Sequence, residues 1–175
     1  TGALLRFGLL DGLPGGLPFT GVRHAHSHLM FFGWVTPVLM YLLLRLQGDW
    51  DRAGLRWLLF ITLVLAAASY VPFLLSGYRL MPLFGRELPV SMIVSGLNGL
   101  VWYVFIGVYL WRDRRRELDV AGRFLRMSVR LLLVSSLGIV ALAAAGMQGA
   151  GSVLINSLAY FFLELFAEGW FGLAL

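Results

Sequence analysis

The chain has no cysteine, no lysine and only three histidines, and charged side chains make up just 13% of its 175 residues. Without cysteine there is no disulfide, no thiolate-held metal and no cysteine-bound iron–sulfur cluster. No phosphate-binding glycine loop, zinc-protease H-E-x-x-H or nucleophile-elbow G-x-S-x-G is present either. Soluble domains carry about 25% charged residues. That deficit, with 59% hydrophobic residues and a mean hydropathy of +0.83, excludes a water-soluble enzyme and a disordered chain. The formal charge of +5 comes entirely from arginine. In so apolar a protein that surplus marks loops lying against anionic lipid rather than a nucleic-acid partner.

What is present in abundance is long apolar runs. Crossing about 30 Å of hydrocarbon takes roughly 20 helical residues. Five segments approach or exceed that length, at about residues 24–44, 55–75, 90–111, 129–147 and 153–175. None alternates with period two, which removes the β-barrel, the other way to satisfy backbone polar groups in lipid. The expected fold is all-α, a polytopic transmembrane bundle of about five helices over residues 22–175, preceded by an extracytoplasmic segment over residues 1–21. That segment lacks a signal-peptide pattern. A start at Thr1 without methionine, and a stop inside an apolar run, read as a fragment of a longer chain. Ten of the fourteen arginines fall in the linkers between helices 1 and 2 and between helices 3 and 4. The positive-inside rule puts those linkers in the cytoplasm and the N-terminal end outside.

Within the helices, Ser135, Gly138, Ala141, Ala145 and Gly149 recur every three or four residues and predict a ridge for close helix packing; Ser95 and Gly99 offer a shorter one. Pro37 and Pro72 are expected to kink their helices. Trp111–Arg130 reads as a helix extension leaning on phosphate headgroups, or simply as a solvated topology signal.

Chemistry concentrates in two places. His24, His26 and His28 sit at the outer edge of helix 1, where ionisable residues mark function by default. On a helix His24 and His28 share a face and His26 points away; an extended first turn would gather all three. Imidazole suits haem iron, copper and zinc, with Ser27 and Trp34 as supporting groups. The alternative is hydrated interfacial histidines without a ligand. Glu164 and Glu168, also one turn apart, lie in the last helix, where a buried carboxylate needs protonation, a partner or water. With that helix starting at Val153, Glu164 lies ~17 Å below the outer edge and His28 only ~6 Å, so the clusters miss each other. A start nearer Phe161 would bring them level. Asn98 reads as a packing hydrogen bond, Gln148 and Asn156 as turn residues, and Tyr103, Tyr109 and Tyr160 as belt or core aromatics.

The stretch H-A-H-S-H-L-M-F-F-G-W-V, His24 to Val35, resembles the histidine-bearing helices of the haem-copper oxidase subunit I superfamily. Nitric oxide reductase-like and NnrS-type haem- and copper-containing membrane proteins carry comparable stretches. The resemblance extends loosely to the E-G-W-F-G end, Glu168–Gly172. It implies haem b, and copper beside it, bound between helices with His24 or His28 as an axial ligand. It also implies a redox or gas-related role in electron transport, in a bacterial inner membrane with the histidines towards the periplasm. Three histidines and five helices are too few for a complete oxidase, so the chain would be part of an oxidoreductase or a reduced relative. The metal-site expectation is therefore His24, His26, His28 and Glu164. Two other classes stay open: a small proton or ion transporter using Glu164 and Glu168 with His28 as relay, and a structural subunit whose Gly138–Gly149 ridge docks a partner helix. The expected partners are the lipid bilayer and other helices of the same or another chain.

Overall fold

The computed structural model describes residues 2–10 and 12–175; Thr1 and Asp11 lie outside the described residues. Six helices follow in order: α1 (Gly2–Leu10), α2 (Phe19–Leu46), α3 (Ala53–Ser76), α4 (Val90–Asp113), α5 (Val120–Met147) and α6 (Ser152–Ala174). All but α1 are long and apolar enough to cross a membrane, and they expose Leu, Val, Phe and Ile side chains along their length. Exposed apolar surface of that extent is stable only in lipid. The chain is an integral membrane protein of the all-α class, with almost no strand.

Residues 1–102 and 103–175 form two compact units, with α4 running through the boundary. In the first unit α2 packs on α3 through small residues. Gly21 lies so close to α3 that a Cβ there would come 2.7 Å from the Leu74 carbonyl oxygen, and one on Gly33 would sit 3.2 Å from Ala66 Cβ. Val22, Ala25, His28 and Phe32 complete the buried face of α2, with Ala66, Ser69 and Phe73 buried on α3.

Proline shapes α2 in a specific way. Pro37 has no N–H to give to the preceding turn, and the helix widens into a π-helical stretch at Phe31–Val35, where the Thr36 amide reaches back to the Phe31 carbonyl. α3, by contrast, stays continuous through Pro72. Between α3 and α4 the chain forms a short antiparallel hairpin, β1 (Met81–Leu83) and β2 (Arg86–Leu88). Its turn residues Phe84 and Gly85 both have positive φ, 52° and 74°, as a type I′ turn requires.

In the second unit α6 lies against α5. A Cβ on Gly138 would come 2.9 Å from Phe161, and one on Gly169 would come 2.9 Å from Leu131. The expected ridge on α5 is therefore used at Ser135 and Gly138, both buried, and its occupant is this chain's own α6. The ridge does not continue as expected: Ala141 is exposed, and Gly149 belongs to the turn after the helix with φ 69°. The shorter ridge on α4 is open at Gly99, where a Cβ would meet nothing within 4 Å. Trp111–Arg130 is not one extended helix either. α4 stops at Asp113, and α5 starts afresh at Val120, where the Asp119 carboxylate caps it by accepting from the Gly122 amide at 2.8 Å. Arg126 clamps the turn from the other side, donating from Nε to the Asp113 carboxylate and from Nη2 to the Asp113 carbonyl oxygen.

Candidate functional site

α2 starts at Phe19, five residues ahead of the first histidine, and is helical throughout the H-x-H-x-H stretch. The extended first turn that would gather three imidazoles is not adopted. His24 and His28 share one face, one turn apart, while the His26 ring lies beside the start of α1, where a Cβ on Gly2 would come 3.6 Å from its Cε1. His28 sits nine residues into the helix, ~14 Å along its axis.

The environment of His28 is built by three elements. Phe73 of α3 stacks on its ring, with centroids 3.8 Å apart at 23°, and Phe32 meets it edge-on at 4.6 Å. Phe32 is in turn backed by Trp102 of α4 at 4.8 Å. The ring nitrogens face hydroxyls: Nδ1 lies 3.4 Å from Ser95 Oγ, and Nε2 lies 3.4 Å from Tyr78 Oη. Tyr78 follows Gly77, which ends α3 at φ 59°. Ser91 Oγ donates to the Gly77 carbonyl oxygen at 2.6 Å, tying that turn to the start of α4. His24 completes the cluster, its ring edge-on to Tyr78 at 4.7 Å. Half of the Tyr78 surface is open, but its phenol end is crowded by the imidazoles, and desolvation there raises its pKa above the ordinary value.

By sequence alone Tyr78 suits an outer aromatic belt. Nothing local links it to a histidine fifty positions earlier; only the pairing of α2 with the end of α3 does so. The supporting groups expected from sequence do not serve. Ser27 Oγ donates to the Arg23 and His24 carbonyls of its own helix at 3.1 Å, and Trp34 is exposed. Asn98 is buried as a packing residue would be, yet its Oδ1 accepts no hydrogen bond among the described residues.

Glu164 and Glu168 belong to the second unit. α6 starts at Ser152 rather than near Phe161, so Glu164 lies twelve residues, ~18 Å, into the helix. Both glutamates are exposed, on the side away from Phe166, Gly169 and Trp170, which pack inward. Tyr109 is a core residue beside Phe105, whereas Tyr160 and Asn156 are exposed and Gln148 ends α5.

The donor set can be tested against the groups the resemblance implies. Among the described residues there is no cluster of three or more His, Cys, Asp or Glu side chains, so a metal would rest on two imidazoles and a phenol. Hydrogen bonds to oxygen are mostly 2.7–3.2 Å, and 3.4 Å is long. Two ligands at about 2.05 Å on a tetrahedral ion stand about 3.4 Å apart, the spacing found between His28 Nε2 and Tyr78 Oη. A bare ion fits. A porphyrin on His28 does not, because Phe73 and Phe32 enclose the ring while Tyr78 and Ser95 face its nitrogens. Compared with protein-family models, with curated proteins and with solved structures, the chain finds no match.

Proposed function

We propose that this membrane protein binds a transition-metal ion of copper or iron type through His24, His28 and Tyr78, and serves redox or gas chemistry, as the likeness of its histidine helix to haem-copper proteins implies. The observation that carries the reading is the 3.4 Å separation of His28 Nε2 and Tyr78 Oη inside an aromatic enclosure. Two imidazoles and a phenol suit copper or iron rather than calcium or magnesium. In the tautomer with the proton on Nδ1, His28 donates to Ser95 Oγ, and the Nε2 lone pair is left towards the ion. That arrangement is the usual outer support of a metal-bound imidazole. Tyr78 carries its proton at neutral pH as an ordinary phenol does, and burial raises its pKa further, so metal uptake that displaces this proton strengthens as pH rises. A bound copper or iron would supply one-electron chemistry. The arginine-rich linkers support an orientation with this cluster at the periplasmic end of a bacterial inner membrane.

A second reading is favoured by one feature. His28 has a hydroxyl at each ring nitrogen, which makes a Tyr78–His28–Ser95 chain suited to passing protons, with Glu164 and Glu168 as further titrating groups. The two readings part on one sample: the protein purified in detergent, its iron and copper counted, its spectrum recorded oxidised and dithionite-reduced. Stoichiometric metal that is lost in His28→Ala, and weakened in Tyr78→Phe, is the expected result. A Soret band that disappears in His24→Ala would place haem there instead. Metal-free protein that conducts protons, with conduction lost in Glu164→Gln, would replace the first reading by the second.

A further inference from the structure

The arginine-rich end of the second unit carries a surface whose two halves match one kind of molecule. Residues 112–130 hold seven arginines against three acids. Two of those acids are already committed: Asp113 takes Arg126, and Asp119 caps α5. On α5, Arg123, Met127, Arg130, Val134 and Leu137 succeed one another at spacings of three and four, which lines them up on one side of the helix. All five are exposed, and neither Arg123 nor Arg130 makes an ion pair among the described residues. The buried side of the helix carries Ser128, Val129, Leu132 and Ser135 instead. Arg114 stands over the Trp111 ring at 5.3 Å, close to the same end.

The stripe therefore changes character along its length. Val134 and Leu137 offer an apolar track, and ~10 Å of helix between Arg130 and Arg123 offers two unpaired guanidiniums. A free phosphate has no use for the apolar track, and an acyl chain alone has none for the arginines. An acidic phospholipid uses both, and its net negative charge sets it apart from a zwitterionic lipid, whose phosphate is offset by the choline cation. Trp111 and the Arg126–Asp113 clamp hold the turn in place beside it.

We propose that this stripe binds an acidic phospholipid, its phosphate against Arg130 and Arg123 and its chains along Val134 and Leu137. The probe is phosphatidylglycerol in competition with phosphatidylcholine, offered to the whole protein in detergent, with lipid retention read by native mass spectrometry. Each basic residue at a membrane surface is worth about 1 kcal/mol towards acidic lipid, which is about a fivefold change in selectivity. Arg123→Gln and Arg130→Gln are each expected to lower the preference for phosphatidylglycerol about fivefold, and the double variant about 25-fold. Arg130→Lys, which keeps the charge, should retain most of it, and Arg6→Gln in α1 should leave it unchanged. Equal retention of both lipids by the wild type would overturn the proposal, as would a loss in Arg6→Gln as large as in Arg123→Gln. Displacement of the retained lipid by inorganic phosphate would overturn the lipid assignment in favour of a plain anion site.

Discussion

The closest approach of α2 to α3 sets up a stringent test of the packing. Placing a methyl at Gly21 brings its carbon 2.7 Å from the Leu74 carbonyl oxygen and 3.1 Å from that of Phe73. Even favourable C–H···O contacts between helices keep carbon and oxygen 3.3–3.6 Å apart. The obstacle is backbone, so no rotamer change relieves it, and the helices must separate locally by about 0.6 Å. A radial gap of 0.5–1 Å forfeits a quarter to a half of each dispersion contact along the seam, and overpacking of this kind costs about 1–3 kcal/mol. The gain in helix propensity from glycine to alanine, about 1 kcal/mol, works the other way. Gly21→Ala should therefore destabilise the protein by about 0–2 kcal/mol, lowering the detergent-solubilised melting temperature by up to roughly 8 °C for a chain of this size. Circular dichroism at 222 nm follows the transition. Gly96→Ala is the matched control, because a Cβ there meets nothing within 4 Å; it should be neutral or slightly stabilising. If Gly21→Ala melts with or above Gly96→Ala, the close approach of α2 to α3 is refuted. The same displacement moves Phe73 relative to His28, so metal retention should fall in Gly21→Ala and hold in Gly96→Ala.

Two further outcomes follow from local geometry. Phe84 occupies a left-handed conformation that costs a non-glycine residue about 1–2 kcal/mol, and Phe84→Asn would give the Asn-Gly pair that a type I′ turn prefers. Trypsin cleavage after the exposed Arg79 and Arg86 should become several-fold slower in that variant; faster cleavage would refute the turn assignment. Asp113 is buried and holds Arg126 by two bonds, one from its carboxylate and one from its carbonyl. Asp113→Asn keeps the shape but removes the charge, and should cost about 1.5–3 kcal/mol, seen as a lower melting temperature. An unchanged melting temperature would show that the pair is idle.

The transmembrane helices were legible in the sequence because twenty apolar residues in a row admit one solution in lipid. Their ends were less so. The extra turns at Phe19–Arg23 and Val120–Ser128 are amphipathic and carry arginine, so hydropathy alone cuts them off, and the cap at Asp119 is marked by a single residue. The hairpin at residues 81–88 is too short for alternation to speak, and its turn uses Phe-Gly where Asn-Gly would have announced it. At the site, the pairing of His24 with His28 and the separation of His26 follow from helical periodicity alone. The roles of Phe73, Tyr78 and Ser95 do not, since each is brought in from a different element by packing. Periodicity also leaves open which side of α5 meets a neighbour: of the small-residue ridge, Ser135 and Gly138 are buried, Ala141 is exposed and Gly149 lies beyond the helix end.

The wide turn at Phe31–Val35 turns residue counting into part of the site. A π-helical turn accommodates one residue more than an ordinary helix over the same rise. If those five residues closed into a regular α-helix with none removed, everything ahead of them would swing by about 100°. His24 and His28 would then leave Phe73 and Tyr78 and carry their nitrogens to another side of the helix, with every side chain of the cluster still present in the chain. A relative one residue shorter in that stretch would keep the site on a regular helix, while one of full length without the wide turn would lose it.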